Sequence, residues 1–157
     1  MDNAKAREGR AQIGEINRAI NLAIHPMSDL AQYGEIDVWS SPLLTFTTGS
    51  GDCEDYAIAK FVALRQAGIS PEDLRIVIMH DTIRGEDHAV AAARLDGHWL
   101  TLDNRRMAMV EDAYVRNYGR CTSSINTASC GTSTHPCSRS RPTGSRPQRS
   151  NWLSSRT

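Results

Sequence analysis

Two adjacent residues, Asp96-Gly97, restrict the fold of this chain more than any other pair. They separate two runs of strand character, His88 to Leu95 and His98 to Asp103. Asp-Gly accepts the positive φ angles that close a two-residue hairpin between twisted strands. A loop that short leaves one register: Leu95 opposite His98, Arg94 opposite Trp99 and Val90 opposite Asp103. Side chains alternate between faces, so Ala91, Ala93, Leu95, Leu100 and Leu102 form one apolar layer. His88 and Asp103 fall on the other face as diagonal neighbours, a Cβ separation of about 7–8 Å that lets an imidazole reach a carboxylate. Leu74 to Met79 is a further short apolar run with strand character.

Upstream, Gly49-Ser50-Gly51-Asp52-Cys53-Glu54-Asp55-Tyr56-Ala57 turns a glycine-rich segment into a helix. Asp52 is the expected N-cap, Ala57, Phe61 and Leu64 the buried stripe, and Gly68 the stop. Cys53 then occupies the first turn, where free backbone N–H groups and the helix dipole favour thiolate. A cysteine nucleophile needs a base to take its proton and a group to orient that base. His88 and Asp103 can supply both. The same spacing also suits a buried helical cysteine, a strand-end histidine and a hairpin carboxylate that never meet, because triads are defined by geometry. His25, His80, His98 and His135 are structural candidates: His98 lies on the opposite hairpin face and His25 precedes a proline at a helix end.

The chain of 157 residues is long enough for one domain with a core. Ile13, Ile16, Ile20 and Ile24 recur at helical spacing over residues 12–25 until Pro26 stops the pattern. Residues 26–51 read as a long connection that packs on the body through Asp29, Tyr33, Asp37, Trp39 and Pro42. Residues 1–119 hold 12 basic and 18 acidic groups, whereas 120–157 hold six arginines and no acid. An acidic body argues against nucleic acid as the partner. No apolar run is long enough for a transmembrane segment, and Met1 to Arg10 is polar rather than an export signal, the mark of an intracellular protein or of one lacking its leader.

The chain divides into a polar segment 1–11, a domain 12–118 and a tail 119–157. Residues 120–157 contain 16 Ser or Thr and no Val, Phe, Tyr or Met, so no core is expected there and the tail is read as disordered. The break after Tyr118 is abrupt enough to suggest a shifted reading frame, or else a natural basic tail. Cys121, Cys130, His135 and Cys137 lack the paired short spacing of a structural zinc site.

The nonapeptide 49–57, Ala63-Leu64-Arg65, His88-Ala89-Val90 and Leu102-Asp103-Asn104 together resemble the bacterial transglutaminase-like cysteine proteinase family. Asn17, Asn21, Asp29, Gly34, Asp37, Trp39 and Pro42 share the likeness, which runs from about residue 12 to 118. The family's best-known members are periplasmic proteases that clip large surface adhesins and release biofilm cells. The resemblance implies an α+β fold, a papain-like or transglutaminase-like core whose catalytic helix packs on an antiparallel sheet. It assigns a Cys53, His88, Asp103 triad, a protein substrate such as an adhesin, a periplasmic location and a membrane-anchored regulatory receptor.

Asp52, Glu54 and Asp55 crowd the cysteine. They are helix caps and dipole partners in one reading. In the other they are oxygen ligands for Ca²⁺, which the resemblance implies beside the cysteine and which would offset their repulsion of a thiolate. Two further functions suit the same residues: acyl transfer to an amine, as transglutaminases perform, and a non-catalytic binding module. Zinc on Cys53, His88 and Asp103 is the least economical reading.

Overall fold

The computed structural model describes residues 9–115 and the strand backbone of 118–125. Helix α1, Arg10–Ala23, forms where the isoleucines repeat, and Ile13, Ile16 and Ile20 are buried along it. The chain then makes a two-residue strand β1, His25–Pro26, and two short helices, α2, Asp29–Tyr33, and α3, Pro42–Thr48. Each has a serine N-cap, Ser28 and Ser41, and Pro42 fills the first turn of α3, where a missing N–H costs nothing. The stretch expected to be a long connection thus contains two short capped helices, of five and seven residues. Strand β2, Ser50–Gly51, pairs in parallel with β1 and leads into α4, Cys53–Gln66.

The remaining elements form one antiparallel sheet in the order β6-β5-β4-β3-β7. These are β3, Leu74–Asp81, β4, Glu86–Leu95, β5, His98–Leu102, β6, Val110–Glu111, and β7, Tyr118–Ile125. The turn between β4 and β5 has φ 51° at Asp96 and 81° at Gly97, and Leu95 faces His98 and Arg94 faces Trp99 as the sequence predicts. The ladder ends at Ala91 opposite Leu102, so the expected Val90–Asp103 pair lies just past its end.

Strand β7 pairs with β3 from Asp81–Tyr118 to Ile76–Ile125. It corrects the expectation of a structureless tail from residue 119. The backbone of a polar segment can still pair with a sheet edge, here with two shifts of register, between Ile78 and Met79 and between Met79 and Asp81. The remainder of the tail, with Cys130, His135 and Cys137, lies outside the described residues, as do residues 1–8.

Helix α4 packs between α1 and one face of the sheet. Its Ala57, Phe61 and Leu64 join Ile13, Ile16, Ile20, Ala89, Ala91, Ala93, Leu100 and Leu102 in one buried cluster. Val77, Met79, Val90, Ala92 and Trp99 form a second cluster, on side chains of the alternate strand parity. Leu64 is fully buried at the centre of the first. Leu64→Ala should lower unfolding free energy by about 2–5 kcal/mol in urea denaturation, the cost of lost transfer energy plus a cavity.

Candidate active site

Cys53 is the first residue of α4 because Asp52 stops the preceding backbone from being helical and caps the new turn. Asp52 Oδ1 accepts from the N–H groups of Glu54 at 3.1 Å and Asp55 at 3.5 Å. The thiol sits half-buried against the beginning of β4 and donates to Glu54 Oε2 at 2.9 Å. Burial pushes the Cys53 thiol well above its ordinary value, and the charge and hydrogen bond of Glu54 add to this; the Ala89 backbone N–H works the other way and Asp52 adds a little more. The helix N-terminus alone therefore does not make a thiolate here.

Ala89 follows His88, so the sulfur meets β4 beside the candidate base. His88 is buried, and its Nε2–H donates to Asp103 Oδ1 at 2.9 Å. The hydrogen bond sets the tautomer: a carboxylate facing Nε2 holds the proton on that nitrogen. Asp103 Oδ1 also accepts the Arg105 backbone N–H at 2.9 Å. The register read from Asp96-Gly97 thus does bring the histidine and aspartate into contact. Among the weaker histidines, His80 pairs with Asp87 on the exposed hairpin and His25 and His98 are exposed.

The carboxylates divide differently from the expected set. Asp52, Cys53 and Glu54 bring ligand atoms together in one group, and Asp29, Asp52 and Asp55 in another, each within 4.8 Å. Asp52 is shared, Glu54 turns to the thiol, and Asp55 turns to Asp29. Asp29 Oδ2 accepts the Val38 N–H and Asp55 Oδ1 accepts the Ser40 N–H. Their other oxygens, Asp29 Oδ1 and Asp55 Oδ2, are buried with no hydrogen-bond partner. Burial first, then the hydrogen bond and charge of Glu54 and the charges of Asp29 and Asp55, push Asp52 up to about 8. Two orphaned buried carboxylate oxygens beside a third carboxylate are costly unless a cation meets them. The donor set, all oxygen, fits a hard divalent ion such as Ca²⁺.

Asp29 was not among the expected ligands, and its distance in sequence from Asp52 gives no signal for it. Lys60 was missed as well. It is fully buried on α4 with Nζ donating to the Leu102 carbonyl at 3.1 Å. Here the sequence did carry a mark: Lys60 stands on the same helical stripe as Ala57, Phe61 and Leu64.

A family model described as bacterial transglutaminase-like cysteine proteinase matches residues 2–121, more than half of the chain. The chain belongs to the bacterial transglutaminase-like cysteine proteinase family. A comparison with curated proteins finds no match. Among solved structures, Legionella pneumophila LapG is similar at 24% identity and TM-score 0.71, over 80% of this chain and 70% of LapG. Calcium-bound LapG gives the same TM-score, identity and coverage. A Cytophaga hutchinsonii protein provisionally assigned as a cysteine protease is similar at 18% identity and TM-score 0.52, over 85% of this chain and 50% of its own. These likenesses show a common α+β fold with the cysteine helix packed on an antiparallel sheet, as the sequence resemblance implied. No described helix is long and apolar enough to cross a membrane.

Within this family fold, Gly51 is what lets Asp55 reach Ser40 and the acidic cluster. A Cβ at Gly51 would stand 2.6 Å from Asp55 Oδ2 and 2.7 Å from Asp55 Cβ, a clash that only movement of the α4 N-terminus relieves. Gly51→Ala should therefore destabilise the fold by about 1–3 kcal/mol in thermal or urea unfolding, an overpacking cost.

Proposed function

We propose that the chain is a thiol protease in which Cys53 attacks a peptide carbonyl, His88 is the base and Asp103 orients it. The observation that carries this reading is the buried His88–Asp103 hydrogen bond, formed where the next residue's N–H meets the Cys53 sulfur. His88 Nδ1 takes the thiol proton as sulfur forms a bond to the carbonyl carbon. The oxyanion gathers at the α4 N-terminus, where the Cys53 backbone N–H is one donor. Collapse breaks the C–N bond, the imidazolium gives its proton to the leaving amine, and water then hydrolyses the acyl-enzyme with His88 as base.

The acidic cluster belongs to this reading as a Ca²⁺ site held by Asp29, Asp52 and Asp55, with Glu54 at its edge. Calcium-bound LapG, a relative of the same fold, supports it, as do the orphaned oxygens. Bound there, the ion would offset carboxylate charge that otherwise opposes ionisation of Cys53. The substrate in this proposal is a protein, of the surface-adhesin class that the family resemblance implies, met in the periplasm and under control of a membrane-anchored receptor.

Cys53→Ala should abolish cleavage of adhesin fragments while circular dichroism stays unchanged, and His88→Ala should do nearly the same because a triad acts as a unit. Asp103→Asn should keep the fold and cost several orders of magnitude by mis-setting the imidazole tautomer, about 10⁴-fold in a comparable triad. Substantial cleavage by folded Cys53→Ala protein sinks the proposal.

For the ion, Ca²⁺ added to EGTA-stripped protein should raise Tm by several degrees, as expected for a ligand that binds only the native state, and should restore cleavage better than Mg²⁺. Asp29→Asn and Asp52→Asn should each weaken both responses. An unchanged Tm with calcium returns these carboxylates to simple helix capping.

A further inference from the structure

Asp103 lies one residue past the last pair of the β4–β5 ladder, Ala91 opposite Leu102. A carboxylate that orients an imidazole must nevertheless be held to within a fraction of an ångström, and this precision has to come from outside the sheet. Two side chains from different helices meet the backbone here. Lys60 Nζ, from α4, donates to the Leu102 carbonyl at 3.1 Å. Asn21 Nδ2, from α1, donates to the Asp103 carbonyl at 3.1 Å and to the Arg106 carbonyl at 3.1 Å.

We infer that Lys60 and Asn21 are positioning residues for the proposed reaction, a clamp on consecutive carbonyls that holds Asp103 against His88. The inference rests on the protease reading for its purpose, though the clamp is a feature of the fold. Cys53, Ala57, Lys60 and Leu64 lie along one side of α4, so one helix carries the candidate nucleophile at its first turn and grips the orienting strand two turns later. α1 closes the other side. The two helices stacked on this face of the sheet thus add to the hold that the loop after β5 has on Asp103 through the Arg105 N–H.

Energetics favour a positioning role over a packing one. An ammonium taken wholly out of water carries a desolvation cost that a methionine of similar length would not. Burial pulls the Lys60 amine down to about 7, and only the neighbouring charge of Asp103 acts against that. The Tyr56 ring, 5.7 Å from Nζ, offsets part of the cost. A residue retained at such expense inside an otherwise apolar stripe does something that a hydrophobic side chain cannot. Donating to the carbonyl next to Asp103, and placing a positive charge beside that carboxylate, are two such things.

The test compares wild type with Asn21→Ala and Lys60→Met in the full chain, taking only protein shown by circular dichroism to be folded. Asn21→Ala is the second variant, at a half-buried site, should Lys60→Met fail to fold. Two readouts bear on the clamp: the low-field proton resonance of the His88 Nε2–H···Asp103 hydrogen bond, and the alkylation rate of Cys53 by iodoacetamide at pH 7, followed on its own peptide by mass spectrometry. Loss or strong broadening of that resonance and a drop in alkylation of about 10- to 100-fold are expected, the range for removing a group that orients an active side chain. A purely structural role would move Tm and leave both readouts as they are. A folded Asn21→Ala protein with the wild-type resonance and alkylation rate overturns the clamp. If both readouts respond but wild type cleaves no adhesin fragment, the clamp stands and the protease reading falls.

Discussion

Everything near Cys53 depends on the register between β4 and β5. A slip of one residue would send each side chain of one strand to the other face. His88 would lose Asp103, and the layer of Ala91, Ala93, Leu100 and Leu102 would turn away from α4. Two positive φ angles, at Asp96 and Gly97, prevent this by holding the turn at two residues. The composition of β4 then determines how near the helix comes. Ala89, Ala91 and Ala93 present only methyl groups on the packed face, so α4 approaches the strand closely enough for the Cys53 sulfur to meet the Ala89 N–H. Larger residues there would hold the Cys53 sulfur away from β4.

How much could be read from the sequence follows from the range of each interaction. The hairpin, the capped cysteine helix and the isoleucine stripe of α1 are local patterns, set within one or two turns or across a two-residue loop, and they appear where expected. Asp29 joining Asp52 and Asp55 depends on how a long connection folds back, and no periodicity encodes that. The same connection hid α2 and α3, whose signals are no more than a serine followed by an acidic residue or a proline. β7 was missed for the opposite reason. Its strand formers, Tyr118, Thr122 and Ile125, are spread among Gly, Arg, Cys and Ser, and it pairs with the otherwise open edge of β3. Lys60 was visible as a charge on an apolar stripe, yet a lysine at that position more often extends its stem to the surface, and only the fold puts Leu102's carbonyl within its reach.

The site sets two electrostatic demands against each other. A nucleophilic cysteine needs surroundings that favour negative charge, while the capping of α4 and the packing of the preceding loop bring Asp29, Asp52, Glu54 and Asp55 to the same end of the helix. Magnitudes decide the contest. A helix N-terminus gives about 0.3–1 kcal/mol to an adjacent anion, at most about 2, and one pKa unit corresponds to about 1.36 kcal/mol. That offsets roughly one unit of upward shift. Burial together with Glu54 and Asp52 raises the thiol by more than this, so the helix end loses.

Two remaining sources of positive charge can reverse the balance, and they act at different places. In the proposed reaction, proton transfer to His88, whose Nε2 is held by Asp103, would make an imidazolium that supports the thiolate as an ion pair. A divalent cation held among Asp29, Asp52 and Asp55, as proposed, would act by neutralising the carboxylates themselves. On the proposed reading the two are not interchangeable. The imidazolium forms only when the thiol gives up its proton, whereas charge at the acidic cluster is present beforehand and determines how often that proton leaves. In that proposal the acids that cap the cysteine helix would have two effects: they keep the thiol protonated while the cluster is uncompensated, and they couple its ionisation to the cation that compensates them.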